Sequence, residues 1–93
     1  MRSMNSRITR PESVLVRELG TESVLLDLES ESYFGLDEVG TRMWVALTGS
    51  SSMHAAFETL FAEFDVAPEQ LRGDLERFVA TLDEAGLIDV HDA

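Results

Sequence analysis

The chain has 93 residues, enough for one domain with a single modest core, and its 44% apolar and 27% charged residues are the balance of a globular protein rather than a disordered one. Eighteen acidic residues stand against seven basic ones, all arginine, for a formal net charge of −11; setting aside residues 1–10, with Arg2, Arg7 and Arg10 and no acid, leaves −14 on the remainder. A body this acidic is repelled by nucleic-acid phosphates and by anionic lipid surfaces, so neither is an expected partner. With no cysteine there is no disulfide framework, thiolate metal site or thiol nucleophile, and no apolar run has signal-peptide or membrane-spanning length. A cytoplasmic location is expected.

In chain order, residues 1–11 are polar and end at Pro11, which reads as a disordered leader to a domain over residues 12–91. Val14, Leu15, Val16 and Leu19 give a first strand, Gly20-Thr21 a tight turn, and Glu22 to Leu28 a second strand in which Leu26 and Leu28 alternate with Asp27 and Glu29. Glu29-Ser30-Glu31 forms the next turn, and Ser32 to Leu36 completes a three-stranded antiparallel meander with the third strand at an edge. Asp37 is a helix N-cap directly after that strand, and from Glu38 the apolar period changes to 3.6, with Val39, Met43, Trp44 and Leu47 on one face. Gly49 and Ser50 to Ser52 end this helix. Ser52 caps a second helix with apolar positions Met53, Ala56, Phe57, Leu60, Phe61 and Phe64. Pro68 opens a third, striped by Leu71, Leu75, Phe78, Val79 and Leu82; Gly86 closes it, and Leu87 to Val90 can add a short strand or an extended tail. Three strands followed by three helices predict an α+β domain of winged helix-turn-helix type with its sheet first.

Catalytic chemistry finds little to work with. His54, early in the second helix, and His91, in a frayed C-terminus, have no metal-site spacing and read as surface residues; Ser50 to Ser52 lack a nucleophile-elbow context and read as linker and helix cap. Adjacent carboxylates at Asp37-Glu38 and Asp83-Glu84 point in different directions on a helix, so they do not converge on one metal. The expectation is a protein that is not an enzyme, with no catalytic residue, metal or cofactor. DNA reading by the third helix is opposed by Glu69, Asp74, Glu76, Asp83 and Glu84 around Arg72 and Arg77.

The third strand offers a better-founded role. An aromatic strand at a sheet edge leaves backbone donors and acceptors open to a strand from another chain, and the third helix can supply pockets for alternate side chains. The candidate peptide-binding residues are Ser32, Tyr33, Phe34, Gly35, Leu36, Leu71, Asp74, Leu75, Arg77 and Phe78. Among the stripe and strand residues, Phe34, Leu36, Leu75, Val79 and Leu82 read better as interior packing, whereas Tyr33, Leu71, Asp74, Arg77 and Phe78 suit a groove rim. Two or three apolar anchors at roughly 1.5–3 kcal/mol each, less ordering costs, are compatible with micromolar binding.

The string Leu25 to Trp44, followed by a helix and by Phe64 to Val90, resembles the PqqD-like family, the RiPP precursor peptide recognition elements. The likeness rests on Tyr33, Phe34, Leu36, Asp37, Gly40, Trp44, Leu82, Gly86, Leu87 and Ile88 and covers about residues 13–90; Ala67 before Pro68 and Ser-Glu in the second turn depart from the pattern. The resemblance implies a non-catalytic adaptor that takes the leader of a ribosomally made precursor peptide as an added strand and presents it to a maturation enzyme such as a leader peptidase. Its compact, acidic form is most similar to the B1-type proteins of lasso peptide biosynthesis. The alternatives are a PqqD-type chaperone for a radical enzyme in cofactor or other RiPP biosynthesis and a divergent winged-helix DNA-binding regulator.

Overall fold

The computed structural model describes residues 3–92, and its element order is strand, three-stranded meander, three helices, strand. The meander consists of β2 (Val14–Leu19), β3 (Glu22–Asp27) and β4 (Ser32–Leu36), paired in the order β2-β3-β4. Gly20 takes φ +70 in the first turn and Glu31 takes φ +59 in the second, the left-handed geometry that tight hairpin turns demand. Register sets Val14, Val16 and Glu18 beside Asp27, Leu25 and Ser23, and these beside Ser32, Phe34 and Leu36, so one sheet face carries Val14, Leu25 and Leu36 into the core. The opposite face carries Leu15, Leu26 and Tyr33 in one cross-strand row.

Helix α1 (Glu38–Gly49) starts one residue after β4, capped by the Asp37 carboxylate, which accepts from the Gly40 N–H at 2.7 Å. Helix α2 (Met53–Glu63) is capped in the same way by Ser52, and α3 (Pro68–Glu84) opens on proline with no side-chain cap at Ala67. Gly86 at φ +72 ends α3, and Leu87 and Ile88 turn inward before β5 (Asp89–His91). Met43, Trp44, Leu47, Met53, Ala56, Leu60, Leu71, Leu75, Val79 and Leu82 complete one continuous core.

Four features differ from the sequence expectations. Residues 3–10, expected as part of a disordered leader, are built into the fold, while Met1 and Arg2 of that segment lie outside the described residues. Strand β1 (Arg7–Thr9) pairs antiparallel with β5 and buries Ile8 to 1% exposure, and the Met4 and Ser6 carbonyls accept from the His54 and Met53 N–H groups at the start of α2, each at 2.8 Å. A three-residue strand whose partner lies 80 to 84 residues away leaves no local periodicity to find. Leu15 and Leu19 project from the outer sheet face, and Val39 and Phe61 are exposed rather than buried, the Phe61 ring stacking on Phe57. His91, read as frayed, sits in β5, where its Nε2 lies 2.8 Å from the Thr9 hydroxyl.

Candidate functional site

No described strand pairs with β4 on the side away from β3, so the outer backbone edge of Ser32–Leu36 is open among the described residues. In an antiparallel ladder alternate residues aim their N–H and C=O groups to opposite sides, leaving such an edge with unmet donors and acceptors. Alongside it runs a groove of about 600 Å3, with Phe34, Gly35, Leu36 and Asp37 on one wall, Val39, Gly40 and Met43 at its base, and Asp74, Arg77, Phe78 and Thr81 of α3 on the other wall. The tight joint between β4 and α1 creates this geometry, because the first turn of α1 must continue from the strand on the groove side. Asp37 fixes the joint from one end. From the other, the Thr41 hydroxyl lies 2.8 Å from that of Ser23 and donates to the Leu36 carbonyl at 3.5 Å.

Position 40 is closely approached: a Cβ there would come 3.3 Å from Asp37 Oδ1, so the capping carboxylate would have to shift by a few tenths of an ångström, and 3.5 Å from the Leu36 side chain, an ordinary contact. Position 35 is different, with open space where a side chain would go, so a neighbouring backbone can draw close. On the α3 wall, Asp74 and Arg77 form an ion pair one turn apart at the groove lip, and half-buried Phe78 supplies apolar surface between them and the core. In the turn before β4, Asp27 accepts from the Ser30 hydroxyl at 2.9 Å and the Glu29 N–H at 3.1 Å; the Ser30 hydroxyl, then that amide, hold its carboxyl below the usual aspartate value.

Of the sequence-derived candidates, Phe34, Gly35, Leu36, Asp74, Arg77 and Phe78 converge on this groove. Ser32 lies on the open strand with its hydroxyl 2.6 Å from that of Ser30, and Tyr33, 78% exposed, projects from the outer sheet face, so both meet the edge through their backbone. Leu71 and Leu75 are 2% and 0% exposed: they support the α3 wall from inside and offer nothing to a ligand, because the helix rotates its i, i+4 stripe fully into the core. Sequence reasoning missed Val39, Met43, Gly40, Asp37 and Thr81 as lining residues. The short strand-to-helix joint was the signal that could have placed the first four there.

A second cavity of about 620 Å3 lies between the free side of β2, β1 and α1, touching Thr9, Arg10, Val16, Glu18, Trp44 and Thr48. Its hydroxyls are engaged internally, Ser23 with Thr41 and Thr48 with the Trp44 carbonyl, and its walls are more polar than those of the β4 groove.

An α+β domain with an N-terminal meander, three following helices and an open strand edge beside the last helix is a winged-helix-like architecture. The family model for coenzyme PQQ synthesis protein D (PqqD) matches residues 22–88, and the chain belongs to that family. Among solved structures it is similar to TbiB1 in complex with the TbiA(beta) leader peptide, at 30% identity and TM-score 0.82, covering 87% of this chain and 94% of that one. It also shares the fold of a lasso peptide synthetase B1 complexed with the leader peptide, at 22% identity and TM-score 0.77, covering 91% of this chain and 98% of that one. No curated protein matches. Among the described residues no helix is long and apolar enough to cross a membrane, and no three His, Asp or Glu side chains gather as a metal site.

Proposed function

We propose that this protein is a non-catalytic adaptor that binds the leader segment of a ribosomally made precursor peptide as a fourth strand along β4 and presents it to a maturation enzyme, in the manner of lasso peptide B1 proteins. The observation that carries this reading is the open Ser32–Leu36 edge lying beside an apolar groove shared with α3. Strand pairing supplies sequence-independent affinity there, and the groove selects the side chains that point into it. Likeness to TbiB1, a leader-bound protein, supports the same role. The description of the family model favours a second reading, in which the same groove serves a precursor peptide of a cofactor pathway. A protease and an ATP-dependent cyclase encoded nearby would point to the first, and a radical enzyme to the second. DNA binding fares worse: Arg72 and Arg77, the arginines of α3, are already paired with Glu76 and Asp74.

Selection of displayed random peptides on the immobilised chain tests strand addition. Gly35→Pro removes one backbone donor and fixes φ near −65°, so peptides recovered on the parent chain are expected to lose binding to the variant while its helical circular dichroism persists. Undiminished binding to a folded Gly35→Pro protein refutes the strand-addition mode.

A further inference from the structure

Resting on the peptide-binding reading above, we propose that the segment recognised by the groove is apolar at alternate central positions and carries a lysine or arginine at each end. The two ends of β4 bear charge of one sign. Glu29 and Glu31 lie in the turn that enters the strand, and Asp37 and Glu38 lie at its exit. Glu29, Glu31 and Glu38 are exposed, and no arginine among the described residues forms an ion pair with them. The one arginine lining the groove, Arg77, is held by Asp74, so the middle of the lip is close to neutral. The large apolar side chains lining the groove are Phe34, Leu36, Val39, Met43 and Phe78. A whole-chain charge of −11 adds to the same field.

An extended chain rises roughly 3.3 Å per residue, so a segment following β4 and reaching both acidic ends needs its cations about five to seven residues apart. Either strand direction satisfies this spacing, because both ends carry the same sign. Charges here are solvent-exposed, and screening over about 8 Å at physiological salt makes each end act locally. The expected selectivity is therefore modest per end and sensitive to salt.

The test uses the full chain and random twelve-residue displayed peptides, with counterselection on Gly35→Pro. Peptides whose binding depends on Gly35 should carry Lys or Arg on both sides of an alternating apolar stretch, at the spacing above. Replacing either flanking cation by glutamine should weaken binding about two- to fivefold, the range of an exposed ion pair. That penalty should shrink at the matching end in Glu31→Gln or Glu38→Gln, each of which leaves one of two carboxylates, and should shrink further as salt rises. Gly35-dependent peptides with neutral or acidic flanks that bind equally well, or a penalty undiminished in both glutamine variants, overturn the charge inference and leave the groove standing. If no recovered peptide depends on Gly35, the groove reading and this inference fall together.

Discussion

Val39 offers a direct measure of how much apolar contact the groove contributes. It is 49% exposed at the second residue of α1, lines the groove, and contributes little to the interior. Fully burying a valine is worth about 1.5–3 kcal/mol, so covering the exposed half yields about 0.7–1.5 kcal/mol on binding. Val39→Ser removes that surface without adding charge, and serine is well tolerated in the first helical turn. At 1.4 kcal/mol per decade, affinity should fall about three- to twelvefold. Fluorescence anisotropy with a Gly35-dependent peptide reads the loss, and the urea midpoint checks that stability stays within the roughly 0.5 kcal/mol typical of surface changes. Unchanged affinity in a variant of unchanged stability would mean that the peptide does not pass over the start of α1.

Two other changes probe the scaffold that holds the site. Ile8→Ala should cost about 2–5 kcal/mol in urea unfolding, a large share of what a chain of this size has to spend; a loss no larger than a surface substitution gives would show that the β1–β5 clasp is dispensable. Asp27 is expected to make the β3–β4 turn acid-sensitive. Its carboxyl titrates below the usual value in the folded chain, so its contribution is complete above about pH 4 and is lost as pH falls through the folded value. The stability gap between the parent and Asp27→Asn should therefore close on acidification, whereas a constant gap from about pH 7 to pH 3 would exclude this origin.

Most of the fold was legible because its elements announce themselves locally. Asp37, Ser52 and Pro68 mark helix starts through cap chemistry, Gly86 marks an end through its backbone, and the change of period at Glu38 marks the passage from sheet to helix. Pairing across the chain was not legible in the same way. The β1–β5 clasp rests on Ile8 facing Val90, and one apolar residue in three carries no pattern. Within the site, the sequence placed Phe34 to Leu36 and Asp74 to Phe78 together, but it could not fix helix rotation. Leu71 and Leu75 lie roughly 120° around the helix from Arg77 and Thr81, and which pair faces the groove is set by tertiary packing.

An open aromatic edge also invites pairing between copies of the same chain, and the charges around β4 bear on that hazard. In an antiparallel β4–β4 pair, the turn bearing Glu29 and Glu31 of one copy lies against Asp37 and Glu38 of the other. Carboxylates would then oppose carboxylates at both ends of a strand of only five residues. Short length and like charge each reduce the gain from such pairing. Sedimentation velocity should accordingly find a monomer at low ionic strength, with any self-association growing as salt screens the repulsion. A dimer that is present at low salt, dissociates as salt is added and is lost in Gly35→Pro would show that copies attract through this edge. The acidic ends would then be paired with cations elsewhere on the molecule instead of repelling one another.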